Sequence, residues 1–348
     1  MSTRSISLTA ATLTLTLGLA ACGSSPESSA PATSGPADTP AAAAFPVTIK
    51  HTLGETTVAE QPQRVATVGW ANHEVPLALG VTPVGMAKAD YGDDDGDGVL
   101  PWVEEKLTEL GATTPQLFDE TDGIDFEAVA NTQPDVILAA YSGLTKEDYA
   151  TLSKIAPVVA YPDQAWGTSM NDMIRLNSQA IGKKAEGEQL VADLDRQISE
   201  TAAKYPNLAG KSGMFAFLDP SDLSKVQFYN TRDPRAGLLQ EAGLTVPAKV
   251  TEATQNETGF FSTVSAENTD AFSDVDVIVS YSADPAAALK SLQADPRWAK
   301  IPAVKSGAVA LLKDNTPLAA SGNPSPLNIP WGLDAYLKTV NDAVGKAT

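Results

Sequence analysis

The sequence predicts an α/β protein of two βα lobes joined by one long helix. Three observations predict it. From residue 45 onward, short apolar strand runs alternate with helical stretches, the pattern of parallel βαβ units. One helical stretch, about residues 168–204, is too long to be a crossover within a single sheet. An internal echo then divides the chain on either side of that stretch. Glu127 stands eight positions before DVILAAYS at 135–142, and Glu267 stands nine before DVIVSYS at 276–282. Each copy offers a glutamate on a short helix, a buried strand, and Tyr-Ser at the strand's carboxyl end.

Taken in order, VTIK at 47–50 and TTV at 56–58 flank Leu53-Gly54-Glu55 and read as an opening hairpin. RVATV at 64–68 is a buried-strand run, followed by a helix over 74–79 that Gly80 closes. Residues 81–86 and 135–140 are further apolar strands, with a short helix over 126–131 between them. In the second half, strands are expected at 215–217, 227–229, 276–280 and 308–312, and helices at 234–241 and 327–344. In the central stretch Met170, Met173, Ile174, Leu176, Ile181, Leu190, Val191, Leu194 and Ile198 recur at helical spacing, with Gly182 and Gly187 as weak points. A single helix there would be about 55 Å long, a spine between lobes. The expected division is therefore a lobe over 45–167, the helix over 168–204, and a lobe over 205–348.

The first 44 residues are of another kind. Arg4 is the single charged side chain before Cys22, and residues 6–19 are apolar or small, too short to span a bilayer but right for a signal-peptide core. Leu19-Ala20-Ala21-Cys22 looks like a bacterial lipobox, which makes Cys22, the one cysteine of the chain, the acylated first residue of a mature protein. Residues 1–21 are then a signal peptide, and 23–44, built mostly of Ser, Ala, Pro, Thr and Gly, a disordered tether. The reading places the protein outside the cytoplasm, held to a membrane by lipid.

Composition argues against several activities. With 43 acidic against 24 basic residues the net charge is −19, which argues against a nucleic-acid partner, since that needs a basic stripe to neutralise phosphates. With Cys22 committed, no disulfide, thiolate metal site or thiol nucleophile remains. Two histidines, His51 and His73, leave little for an imidazole metal centre or a catalytic triad. No GxSxG elbow, HExxH or Walker loop is present.

Several segments together resemble the class III, helical-backbone substrate-binding proteins of ABC importers, a chelatase-like fold. They are QPQRVATVG at 61–69, LALGVTPVG at 77–85, NTQPDVI at 131–137, GLLQEAGL at 237–244 and DPRW at 295–298. Gly69-Trp70 and LPWVEEKL at 100–107 are similar to the ferric-siderophore branch. The resemblance implies a monomeric, non-enzymatic carrier that takes a ferric siderophore in a cleft between its lobes and hands it to a membrane permease. It uses no cofactor, because the chelator supplies the iron's ligands. The same fold binding haem or cobalamin, a two-lobed extracytoplasmic enzyme, and a structural lipoprotein without a ligand are the rival readings.

The cleft falls where ligands bind in open α/β sheets, at the carboxyl ends of strands. The candidate ligand contacts there are Trp70, Lys88, Tyr141, Trp166, Arg232, Arg235, Phe260 and Tyr281. Aromatic faces suit chelate rings, and Arg232 and Arg235, with Lys88 opposite, are the candidate cations for an anionic chelate. The alternatives are core packing for the aromatics, helix capping for Arg235, and a surface ion pair with Asp233 for Arg232. By the resemblance, Glu127 and Glu267 are the permease-docking carboxylates, one per lobe. Asp93, Asp95, Asp97 and Glu104 match the spacing of a calcium loop, although no helix precedes them, and a solvated acidic turn is the plainer account.

Overall fold

In the computed structural model, residues 45–346 are described; Cys22, the signal peptide and the tether lie outside them. The chain opens with an antiparallel hairpin, β1 (Val47–His51) on β2 (Gly54–Val58), whose inward positions Ile49, His51, Thr56 and Val58 alternate with exposed ones. The strands of the first sheet follow: β3 (Val65–Thr67), β4 (Gly85–Ala87), β5 (Gln116–Phe118), β6 (Val136–Leu138) and β7 (Val158–Val159). They lie in the order β5-β4-β3-β6-β7 and pair in parallel throughout. Every residue of β3 and β6 is buried, as expected where helices cover both faces. The run expected at 81–86 pairs only from Gly85, the preceding residues being an approach that Val84 N–H pins to the Val65 carbonyl at 2.8 Å.

The second sheet contains β8 (Gly213–Phe217), β9 (Lys225–Tyr229), β10 (Phe261–Ser265), β11 (Val277–Ser282) and β12 (Val309–Lys313), in the order β10-β9-β8-β11-β12. Here the expectation of parallel units holds for half the sheet. β11 pairs in parallel with β8 and β12, whereas β9 pairs antiparallel with both of its neighbours, β8 and β10. The link from β8 to β9 is too short for a crossover helix, so β9 must turn back. Asp219 and Asp222 make that turn, their carboxylates accepting the amides of Ser221 and Ser224.

The single 168–204 helix is not what forms. The stretch folds into two helices, Met170–Ala180 and Lys184–Ala202, packed antiparallel. Asn171 reaches Asp195 at 3.0 Å and Arg175 reaches Glu188 at 3.1 Å, so early positions of one helix face late positions of the other. Gly182 makes the break, at φ +74°, which glycine adopts without steric cost, and a Cβ there would lie 2.8 Å from the Phe45 ring. Gly187 allows the close packing, since a Cβ would strike the Ser178 hydroxyl. The continuous hydrophobic period that suggested one rod is the shared seam of two. The link into the second sheet is the 19-residue helix Lys184–Ala202. It packs on the final helix, Asn328–Val344, where Lys204 meets Asp334 at 3.1 Å and Tyr205 O–H donates to the Asp334 carbonyl.

A second junction ties the two halves. Glu74 begins the helix Glu74–Ala78 behind β3 and is 1% exposed. Its carboxylate accepts from Trp102 Nε1–H at 2.8 Å and from the backbone N–H of Leu327 at 2.9 Å, just ahead of the final helix. A carboxylate at that end of a 17-residue helix also meets the positive pole of its dipole. From there Asn328 Nδ2–H donates to the Asn323 carbonyl, and Asn323 Nδ2–H donates to the Tyr141 hydroxyl. Among the described residues no helix is long and apolar enough to cross a membrane.

Burial pushes the Glu74 carboxyl up to about 7, outweighing the donors from Ser325, Trp102, Leu327 and Asn328 that favour its charge. The folded state keeps a proton there that the unfolded chain releases near 4.5. The group's contribution is therefore complete below that pH and is lost as pH rises to 7. Glu74→Gln should flatten this dependence. Denaturant unfolding at pH 5 and pH 8 should show the wild type losing roughly 2.5 kcal/mol more than the variant across the interval. Parallel curves for the two proteins would refute the assignment.

Candidate functional site

A cavity of about 910 Å³ opens between the two sheets, at the carboxyl ends of their strands. Trp70, Tyr91, Tyr141 and Trp166 line it from the first half of the chain, and Phe217, Tyr229, Phe260 and Tyr281 from the second. Arg235 is the single cation among the described residues that line it.

The first wall is fixed by backbone geometry. Gly69, after β3, has φ +73°, and a Cβ there would lie 2.9 Å from the Tyr141 carbonyl. Fully buried Asn72 knits the loops together: its amide N–H donates to the carbonyls of Val68 and Tyr141, while its Oδ1 accepts from Tyr141 N–H and from Asn177 of the first connecting helix. Ala71 at φ 60° and Trp166 at φ 59° hold the left-handed conformation that costs non-glycine residues about 1–3 kcal/mol. Trp166 N–H donates to the Ser142 carbonyl, and its indole packs edge-on to Tyr141 at 5.4 Å. A Cβ at Gly143 would lie 2.3 Å from the indole nitrogen, so only glycine lets the ring lie there.

The second wall is an aromatic cluster around one ion pair. Asp233 caps the helix Pro234–Glu241, accepting Arg235 N–H at 2.9 Å, and its other oxygen takes Arg235 Nη1 at 2.7 Å. The carboxylate is 1% exposed. The guanidinium lies 4.7 Å from the Tyr229 ring centroid, a cation–π contact, and its Nε–H is buried with no protein acceptor. Tyr229 stacks on Phe260 at 6.4 Å, while Phe215 joins Tyr229 to Tyr281. Burial pushes the Tyr141 hydroxyl up to about 12 and the Tyr281 hydroxyl higher, so both are neutral donors at ordinary pH. At the rim Tyr91 bridges the halves, its ring edge-on to Tyr281 at 6.0 Å and its O–H donating to Asp314 at 2.7 Å.

Six of the eight sequence candidates thus meet in one cavity: Trp70, Tyr141, Trp166, Arg235, Phe260 and Tyr281. Arg232 and Lys88 do not. Arg232 lines a separate 320 Å³ pocket, and its Nη1–H donates to the Glu257 carbonyl at 2.7 Å, fastening the 257–259 loop. Three residues further on, Arg235 faces the aromatic wall instead. Lys88 lines a side pocket of 220 Å³ with His73, Asp90 and Glu120, its stem packed over Gly98. Burial pushes Glu120 up to about 7, against the Gly69 amide it accepts, and lowers His73 to about 4.

Phe217, Tyr229, Asp284 and Asp314 were missed, although each ends or follows a strand, the signal that would have found them. Glu127 and Glu267 are exposed in the first turns of their short helices, which Asp125 and Ser265 cap. Arg297 contacts Glu267 at 3.4 Å while holding Asp295 at 2.7 Å. The oxygens of Asp93, Asp95 and Asp97 gather within 4.8 Å of one another, with Glu104 beside them on the helix Pro101–Glu109. Asp93 accepts the amides of Asp95, Gly96 and Gly98, so the loop also closes as an acidic turn on its own amides.

A profile of the periplasmic binding protein family matches residues 65–316. The chain belongs to that family. It is similar to PiaA of Streptococcus pneumoniae TIGR4, crystallised in complex with ferrichrome, with 44% identity over 86% of this chain and 99% of that one, at a TM-score of 0.82. It is also similar to the probable siderophore-binding lipoprotein YfiY of Bacillus subtilis, 27% identical over 75% of this chain and 78% of the relative. The Fe(3+) dicitrate-binding protein FecB of Escherichia coli is 25% identical over 78% of this chain and 84% of its own length.

Asp233 holds Arg235, the one cation lining the cavity among the described residues, in place through the guanidinium and the backbone N–H. Asp233→Ala leaves Arg235 charged and unpaired, and should cost about 3 kcal/mol in denaturant unfolding. Arg232→Ala, at a surface loop, should cost under about 1 kcal/mol. Equal losses for the two variants would contradict this division of roles.

Proposed function

We propose that this periplasmic binding protein captures a ferric siderophore in the cavity between its sheets and delivers it to an ABC importer. The observation that carries the reading is the cavity wall: eight aromatic side chains and one fixed guanidinium around 910 Å³. An iron already wrapped by its chelator presents ring faces and oxygen atoms, and needs no protein ligand to the metal. Indole and phenol faces take the apolar arms, while Arg235 and the neutral Tyr hydroxyls donate to the chelate oxygens. Trp70, Tyr141, Trp166, Arg235, Phe260 and Tyr281 are the proposed contacts. The ferrichrome complex of PiaA, at 44% identity, supports the ligand class, and the names of YfiY and FecB point the same way. This reading assigns capture and release, with no reaction on the cargo and no cofactor beyond the iron it carries.

Because Trp70 and Trp166 line the cavity, the intrinsic fluorescence reports occupancy directly. Ferrichrome should quench it saturably, and Arg235→Lys, which loses the planar fork, should weaken binding by about tenfold. Free ferric ion should give no saturable quench at the same concentration. Absence of quenching by any ferric chelate would overturn the reading.

Docking and anchoring complete the proposal. Glu127 and Glu267 are exposed and equivalently placed in the two lobes, as carboxylates that meet cations of a permease would be. The lipobox reading of Cys22 is supported by the naming of YfiY as a lipoprotein. In cells fed ferrichrome iron, Glu127→Arg with Glu267→Arg should retain ligand affinity and lose uptake, and Cys22→Ala should move the protein out of the membrane fraction. Normal uptake by the double variant would remove the docking assignment; membrane retention of the cysteine variant would remove the anchor.

A further inference from the structure

The charges around the cavity do not match an anionic cargo. Arg235 is its single lining cation among the described residues, and that charge is already paired with buried Asp233 at 2.7 Å. Three carboxylates, Asp90, Asp284 and Asp314, line the same space, and all three are exposed at its rim. Arg232 faces another pocket, and Lys88 lines the adjoining side pocket, which shares Asp90, Trp70 and Trp166 with the cavity, so it offsets one of the three carboxylates at most. The rest of the lining is aromatic, small or neutral. A ligand entering the cavity therefore meets a field that is negative overall, inside a protein of net charge −19.

We propose that Asp90, Asp284 and Asp314 are specificity determinants that restrict the site to ferric chelates of zero or positive net charge, the ferric trihydroxamates. This rests on the reading that the cavity takes a ferric siderophore. Three hydroxamates, each giving up one proton, cancel the charge of ferric ion, whereas three catecholates, each giving up two, leave the complex strongly anionic. Like-charge juxtaposition in a partly dry cleft is a standard device for rejecting a wrong partner, because it costs more than a missing contact. Arg235 fits the same selection. Pinned by Asp233 and set over the Tyr229 ring, it retains an Nε–H with no protein acceptor, enough to donate to a neutral chelate oxygen but carrying no surplus positive charge.

The carboxylates can be neutralised without dismantling the fold. Asp284 caps the helix Pro285–Ala294 by accepting Ala287 N–H, which asparagine does equally well, and Asp314 accepts the Tyr91 hydroxyl, which an amide oxygen can also do. The experiment titrates wild type and the triple variant Asp90→Asn, Asp284→Asn, Asp314→Asn by tryptophan fluorescence. The probes are ferrichrome, a ferric trihydroxamate bearing a free ammonium, and a ferric tris-catecholate, each at about 50 mM and about 500 mM salt. In the wild type the two hydroxamates should bind at least about a hundredfold more tightly than the tris-catecholate at low salt, and the gap should narrow at high salt. In the triple variant the ratio of ferrichrome to tris-catecholate affinity should fall by roughly tenfold or more, with the melting temperature held as the check on folding. Equal wild-type affinity for neutral and anionic chelates, or an unchanged ratio in a folded triple variant, overturns this proposal and leaves the siderophore reading standing. A wild type that binds none of the three probes overturns both.

Discussion

The structure depends on a buried carboxylate. Glu74, 1% exposed, takes an indole N–H from Trp102 on one side and the first free amide of the final helix on the other. Removing the acceptor would leave two buried donors unpaired, a larger loss than the bonds are worth when made. From that carboxylate, hydrogen bonds run through Asn328 and Asn323 to the Tyr141 hydroxyl, so the junction of the two halves and the wall of the cavity belong to one network. The cavity keeps its shape because its wall is hydrogen-bonded to the joint.

Chemistry inside the cavity follows a division between what is held and what is offered. The aromatic rings are held by one another, Tyr229 by Phe215, Phe260 and Phe261, and Tyr141 by Trp166. The guanidinium is held by a carboxylate that helix capping has already fixed, so little side-chain entropy remains to be lost when a ligand arrives. What is offered is a set of neutral hydroxyls, ring faces and one spare N–H. Such a surface grips a compact complex by shape and by weak donors, with charge acting at the rim.

Much of this was legible in the sequence, for reasons that differ by element. The helices Phe126–Asn131 and Pro234–Glu241 fall where their capping aspartates and apolar spacing put them. β6 and β11 were visible as unbroken apolar runs because both are buried on two faces. The reversal of β9 was not, because strand direction depends on the length of a connection and not on the composition of the strand. The supposed long helix misled for a related reason: two helices that share an apolar seam carry the same period as one, and only the sign of φ at Gly182 separates them. In the site, aromatic residues next to strand ends were found readily. Arg232 and Arg235 are alike in type and nearly adjacent, and only the packing of the 257–259 loop decides which of them faces the cavity. Asp284 and Asp314 went unseen because, on paper, one is a helix cap and the other a surface turn.

The two walls of the cavity also differ in how freely they could change. On the first, Gly69 lies against the Tyr141 carbonyl and Gly143 against the Trp166 indole, each too close to admit a Cβ, while Asn72 is held by its hydrogen bonds and Trp166 by its left-handed backbone. On the second, Phe217 stands 45% exposed at the end of its strand, free of any such constraint. Mutational drift would therefore be tolerated unequally. Across descendants of this gene the first wall should persist as an inherited mould, and adaptation to cargo of a new outline should accumulate on the second.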